Sequence, residues 1–460
     1  MGPAGAQTTP DISSEAIIAG RIDRLPVTYW HNYVRILLGF VLFFDSWDSI
    51  AIAFIAPSLI HEWHLNPAEV GLLIAIGYLG QIFGAYLFGA VAERYGRIRA
   101  FQLATALMSI VGLAAAFSPN YATLLILRAI QGLGIGGALP AGLAYINEIS
   151  PSKNRGRFVI LFQYMTVAGF PAASIAAVWI IPHLGWGAML AFGAMPLLVL
   201  PLIHWLVPES PRWLALKGRL PEAEAILARI ESKAFANRPV PPLIVPEVTK
   251  ESGQPTRFSE MFKGRYGKRT FALGSVWFLL GFVVFGLLTW VPSIFVTVYH
   301  LPVDEALKNS IIPNLGTLIK PLFIAYIIDW MGRRRFGMWM TGAAAITLCI
   351  LMSATSPSML LLITLLTIGQ NLVGGANLML WGYTAELYPT RMRAVAVGAL
   401  SACSRAASTV APITIGAIVA VTGSAYAVFA LLAASTFAAF LILWLVCEET
   451  AGRSLEEISP

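Results

Sequence analysis

The sequence predicts an all-α membrane protein in which 12 transmembrane helices form two six-helix pseudo-repeats. Three observations predict it: too little charge for a soluble chain, apolar runs of membrane-crossing length, and one set of motifs that occurs twice. Of 460 residues, 57% are hydrophobic and 12% charged, against about 25% charged in a soluble domain. The mean hydropathy of +0.72 agrees. This excludes a soluble multi-domain enzyme, and no collagen-like, coiled-coil or disordered composition fits.

The apolar runs lie at 34–60, 70–92, 100–118, 121–146, 158–182, 187–207, 271–299, 306–330, 336–354, 357–383, 395–421 and 424–447. Each is near the ~20 residues needed to cross a hydrocarbon core of ~30 Å. Residues 1–33 are polar and carry no apolar cleavage-type leader, so the first span is expected to be retained. Lys and Arg set the expected orientation. Turns 61–69, 118–121, 183–186 and 422–424 contain neither. The alternate turns carry Arg94, Arg97 and Arg99; Lys153, Arg155 and Arg157; Arg333, Arg334 and Arg335; Arg391 and Arg393. Both termini are therefore expected in the cytoplasm. The expected divisions are a cytoplasmic segment 1–33, a bundle 34–207, a cytoplasmic linker 208–270, a second bundle 271–447 and a cytoplasmic tail 448–460. The pI of 9.3 is read as this topology signal, with no nucleic-acid partner. Cys349, Cys403 and Cys447 fall inside spans, and no His/Cys spacing suggests a disulfide or a metal site.

Repeats carry the next step. Glu93-Arg94-Tyr95-Gly96-Arg97 follows the second span, and Asp329-Trp330-Met331-Gly332-Arg333 follows the eighth, 236 positions on. Tyr145, Glu148, Pro151 and Arg155 follow the fourth span; Tyr383, Glu386, Pro389 and Arg393 follow the tenth, each 238 positions on. Pro208-Glu209-Ser210 is echoed by Glu448-Glu449-Thr450. Two halves in one membrane orientation are the pattern of transporters whose site lies at the midplane between them.

The stretch from Gly89 to Arg99 resembles the signature loop of the major facilitator superfamily, with Glu93 where an Asp is usual. Arg128-Ala129-Ile130-Gln131-Gly132-Leu133-Gly134 resembles its fourth-helix motif. Pro208–Leu214 and Glu449–Glu457 resemble the sugar-porter and organic-ion branches. Asp45-Ser46-Trp47-Asp48 resembles the first-helix aspartates of the aromatic-acid/proton symporters and nicotinate-type carriers, and Thr289-Trp290-Val291-Pro292 resembles the nicotinate and organic-ion carriers. The resemblance implies a transporter, not an enzyme, in a bacterial inner membrane. The seventh span lacks the paired glutamines of sugar porters, which weakens the sugar expectation.

Ionisable residues deep in a bilayer cost about 2.5 kcal/mol or more and point to function. Five stand out: Asp45, Asp48, Arg128, Lys320 and Arg405. At 1.5 Å per residue, Asp48 and Arg128 both lie ~20 Å from the cytoplasmic side, so an Asp48–Arg128 pair is expected. Asp45 lies one turn from Asp48 on the same face, and two neighbouring carboxylates favour holding a proton between them. The resemblance assigns proton coupling to Asp48. Lys320 and Arg405 both fall near the midplane of the second half, which offers no acid at that depth. A substrate carboxylate is the expected counter-ion, and the guanidinium fork of Arg suits it.

Trp47, Tyr164, Trp277, Phe278, Phe285 and Trp381 are expected to shape the cavity, with Gln163, Asn314, Asn371 and Asn377 as polar groups that need partners in lipid. Substrate contacts are assigned to Arg405, Lys320, Tyr164, Trp277, Phe278, Asn314, Asn377 and Trp381. A cytoplasmic gate is assigned to Glu93, Arg94, Arg97, Glu148 and Arg157 with Asp329, Arg333, Glu386 and Arg393. Gly132, Gly134, Gly136 and Gly137 are expected to let the fourth helix approach a neighbour. The expectation is a monomeric proton symporter, without cofactor, that imports a small organic anion of nicotinate or benzoate type. The alternatives are a sugar or polyol porter and a transport-inactive receptor.

Overall fold

The computed structural model describes residues 14–151, 153, 155–236, 239–243, 258–353 and 358–450. Among them every regular element is a helix. A short helix α1 (Ser14–Asp23) leads into α2 (Tyr29–Trp63), α3 (Pro67–Tyr95), α4 (Arg97–Ala115), α5 (Tyr121–Ile149) and α6 (Arg155–Leu184). The sixth span is two pieces, α7 (Trp186–Gly193) and α8 (Pro196–Leu206). Between the halves come α9 (Pro211–Leu216) and α10 (Leu220–Ala234). The second half is α11 (Gly264–Thr297), a short α12 (Val303–Asn309), α13 (Ile311–Met331), α14 (Arg333–Ser353), α15 (Met359–Leu387), α16 (Thr390–Thr422) and α17 (Ala425–Leu445). Among the described residues 11 helices are long and apolar enough to cross a membrane, with α7 and α8 taken together. The 21-residue α13 takes the eighth place, giving the 12-span fold. Most of the second-half tail motif, 451–457, lies outside the described residues.

Local chemistry explains the ends. Asn66 caps α3 by accepting from the Glu69 amide at 2.9 Å, with Pro67 in the first turn. Asn120 caps α5 and Ser358 caps α15 in the same way; such caps satisfy amides that a helix start leaves free. The helices α2, α11 and α16 start five to seven residues before the apolar runs because hydropathy marks the membrane, whereas a helix continues into water. The break at Ala194–Met195 was not foreseen. Pro196 opens α8 and has no N–H to continue the ladder. The expected start at 306 belongs instead to α12, which ends at Asn309, with Ser310 between it and α13.

The repeat is visible in the bonds. Gly96 and Gly332, at φ +116° and +86°, turn the chain between α3 and α4 and between α13 and α14. A carboxylate then sits on the new helix's first amides: Glu209 accepts from Arg97 and Ile98, and Glu449 from Arg334 and Arg335. A negative group at a helix N-terminus is stabilising. Arg97 pairs with Glu148 and Arg333 with Glu386, both at 3.0 Å. The Tyr145 hydroxyl donates to the Pro208 carbonyl, and the Tyr383 hydroxyl to that of Glu448.

Within the first half, α3 and α5 meet through glycines. A Cβ on Gly132 would strike the Gly77 carbonyl, one on Gly136 that of Gln81, and one on Gly137 the Phe88 ring. The halves meet along α2 with α11, α3 with α16 and α6 with α13. One apolar core spans this seam, with Phe54 and Ile55 in the same cluster as Val283, Leu287 and Trp290. At the end of the bundle away from the arginine-rich turns, α3 and α16 cross at Gly71 and Gly416 with no room for a side chain. At the basic end, α1 packs on α9 and α10 through Ile18, Ile22, Trp213, Leu227 and Ile230.

Candidate central site

A cavity of about 440 Å³ lies between α6 of the first half and α11, α13 and α15 of the second. Its walls are mostly apolar, including Phe170, Val284, Phe285 and Leu288. The polar groups on it are Gln163, Tyr164, Thr317, Lys320, Gln370 and Asn377. Lys320 supplies its charge. Among the described residues the ammonium has no hydrogen-bond or ion-pair partner. Gly374 makes the space it occupies, because a Cβ there would collide with Nζ. Pro321, next in the chain and also on this wall, has no N–H to donate to the Thr317 carbonyl.

Three other groups frame the Lys320 head. The Tyr164 hydroxyl donates to the Leu318 carbonyl at 2.9 Å, tying α6 to α13 across the seam. The Asn377 amide nitrogen is buried without a hydrogen-bond partner among the described residues. Phe285 packs edge-on against Tyr78 of α3, with ring centres 5.3 Å apart. A concave, mostly apolar volume with few convergent polar groups is how small-molecule sites are built, and here their sum is one positive charge.

The carboxylates lie in the first half. Asp48 is fully buried, and neither carboxylate oxygen has a hydrogen-bond partner among the described residues. The expected Asp48–Arg128 ion pair is not formed. Arg128 donates from Nη1 to the main-chain carbonyl of Asp48 at 3.2 Å and to Oε1 of Gln131 at 2.8 Å. The reason is steric. Gly193 of α7 leaves the space that the Asp48 carboxylate occupies, and Gly112 of α4 leaves the space that the Gln131 amide occupies, so Asp48 and Arg128 are neighbours without a charge-to-charge bond. An unbonded carboxylate in a dry interior is costly whenever it is ionised. Asp45 is 7% exposed and lies within electrostatic reach of Asp48 and of Arg405 on α16.

The remaining expected contacts divide. Arg405 does not border the cavity and lies within electrostatic reach of Asp45 across the seam. Trp277 is buried, donates to the Thr384 hydroxyl at 3.0 Å and packs edge-on against Trp381. Phe278, about 100° further round α11, lines a separate groove with Phe271 and Cys403. Asn314 stands behind the wall, accepting from Gln370 at 3.3 Å. Asn371 bonds to the Pro313 and Thr367 carbonyls. The expected site had omitted Thr317 and Gln370. Gln370 was visible in the sequence as the polar member of a helical face with Gly374 and Asn377, at spacings of four and seven.

At the basic end, Arg97 pairs with Glu148, and Arg333 with Asp329 and Glu386, each within one half. Glu93, Arg94 and Arg157 are exposed. Arg94 lies over the Tyr95 ring at 5.4 Å. Arg393 is partly buried, with two nitrogens unbonded among the described residues.

Comparison with known proteins agrees with this architecture. The chain is similar to a niacin transporter of Acinetobacter baylyi, 32% identical over 96% of this chain and 99% of that one. It is 28% identical to a gallate transporter of Pseudomonas putida over 94% and 96%. Among solved structures it is similar in fold to a D-xylose-proton symporter, with a TM-score of 0.72 at 21% identity, covering 92% of this chain and 99% of that one. The family model described as Major Facilitator Superfamily matches residues 37–412. With its two six-helix halves meeting around a central cavity, the chain belongs to the major facilitator superfamily of membrane transporters.

Proposed function

We propose that this protein is a proton-coupled symporter that imports a small organic anion, an aromatic monocarboxylate of nicotinate or benzoate type, by alternating access. The observation that carries the reading is Lys320, an ammonium on the wall of an apolar cavity with no acidic partner among the described residues. A visiting carboxylate supplies the missing charge, and a charge-assisted hydrogen bond is stronger than a neutral one. Phe285 and Tyr164 offer ring surfaces to a planar substrate, and Asn377 offers a free donor. Arg405, which does not line the cavity here, reaches the carboxylate only when the halves move. Niacin and gallate, named for two relatives, are both ring carboxylates, which supports the same substrate class.

In this reading Asp48 carries the proton, with Asp45 and Arg128 setting its affinity. The basic face lies in the cytoplasm with both termini, and the Gly71–Gly416 crossing makes this an inward-facing state. When the basic side closes, Glu93, Arg94, Arg97, Glu148, Arg157, Asp329, Arg333, Glu386 and Arg393 exchange partners across the seam.

The test is uptake by proteoliposomes under an inward proton gradient, with labelled nicotinate, benzoate, xylose and a planar amine. Gradient-driven accumulation of the acids alone is the expected result. Accumulation of xylose without the acids replaces this reading with a sugar porter, and no flux of any solute favours a receptor.

A further inference from the structure

A second groove, of about 470 Å³, runs between α14 and α17 on the outside of the second half. Both helices pack within that half alone, so this face meets lipid. Its floor is Gly342, where a Cβ would rest at 3.5 Å from the Phe440 ring. Trp339, Ile346 and Phe440 wall it. Phe440 stacks on Trp444 at 6.3 Å, continuing the aromatic wall to the basic end of α17. Exposed Trp at the basic ends of both helices suits the boundary between hydrocarbon and headgroups.

One charged residue lines this apolar groove, and it is Arg335 at the basic mouth. Its neighbours are spent. Arg333 pairs with Asp329 and Glu386, and Arg334 donates to the last carbonyls of α17. The Glu449 carboxylate occupies the first amides of α14, so the helix end is not the free group. The Arg335 side chain is exposed, and among the described residues it has no hydrogen-bond or ion-pair partner.

We propose that this groove is a binding site for an anionic glycerophospholipid of the leaflet at the basic face. One acyl chain lies along Gly342 and Phe440, and the phosphate sits on Arg335. Charge complementarity selects the occupant, since an apolar trough ending in a single free guanidinium matches a lipid with an apolar tail and an anionic head. A guanidinium binds phosphate oxygens through paired N–H groups.

The experiment is native mass spectrometry of the purified full chain, titrated with phosphatidylglycerol or with phosphatidylcholine of the same acyl chains. The wild type is expected to prefer phosphatidylglycerol about fivefold, the factor for one cation at an anionic surface. Arg335→Gln removes the preference, and Arg335→Lys retains it. Gly342→Leu fills the trough and lowers binding of both lipids. Lys263→Gln, which removes an exposed cation from the same face elsewhere, leaves the preference intact. A monodisperse elution profile for each variant separates loss of the site from loss of the fold. The proposal is overturned if Arg335→Gln keeps the preference, if both lipids bind alike to the wild type, or if inorganic phosphate displaces the lipid.

Discussion

Lys320 and Gly374 make one device. The ammonium stands where Gly374 has no side chain, and a methyl group there meets Nζ. Lys320→Gln is expected to raise the KM for acids about ten- to a hundredfold, the worth of a hydrogen bond to a charged group, with little change for any neutral solute carried. Gly374→Ala should act in the same direction by displacing the ammonium. Gly369→Ala, whose new Cβ finds only ordinary contacts near 3.7 Å, should leave uptake unchanged; initial-rate uptake in proteoliposomes checks all three. Asp48→Asn is expected to abolish gradient-driven accumulation while sparing exchange of internal for external substrate. Unchanged accumulation would remove Asp48 from the coupling role. Burial and charge made Asp48, Arg128 and Lys320 legible in the sequence. The partner of each was not, because partners depend on small residues elsewhere. Gly193 gives the Asp48 carboxylate its space and Gly112 that of its neighbour Gln131, and no spacing rule announces them.

At the scale of elements, most of the fold was legible because span length and arginine placement are membrane constraints rather than local propensities. The break between α7 and α8 was hidden, since an apolar run with Pro reads as one span. The α3–α16 crossing at Gly71 and Gly416 is a close backbone approach of the halves at its end of the bundle. Gly71→Val should wedge the two apart there and raise the reaction of a cysteine placed at Ala75, buried one turn along α3, with a membrane-impermeant thiol reagent. An unaltered rate would show that this crossing does not close that side. At the other end, Glu231 holds Arg21 of α1 and Arg24 just after it, at 2.6 Å each. Burial of Glu231 works against the charged form, but the bonds from Arg21 and Arg24 outweigh it and hold the carboxyl below its usual value of 4.5. The sign follows: this docking is complete above about pH 4.5 and is lost as the pH falls through the lowered value. Hydrogen exchange at α1 amides should therefore accelerate below that pH, relative to the chemical rate, and should be fast at every pH in Glu231→Gln.

Over the whole molecule, the sequence repeat and the bond repeat coincide. Gly96 and Gly332, Glu209 and Glu449, and Arg97–Glu148 and Arg333–Glu386 occupy matching places in the two halves. The symmetry stops at the chemistry. Buried carboxylates gather in the first half and the cavity cation in the second, so under the proposed function proton and anion fall to different halves, with Asp45 and Arg405 within electrostatic reach of each other. That division was visible in the distribution of charge along the chain, whereas the separation of Arg405 from the cavity needed the packing of α16. The most direct measurement of the central claim is equilibrium binding of nicotinate and of nicotinamide, its uncharged amide, to the purified protein and to Lys320→Gln. The wild type should bind the acid more tightly than the amide, and the substitution should erase that difference. Equal affinity of the wild type for both, or a preference for the acid that survives in Lys320→Gln, would contradict a carboxylate held by Lys320.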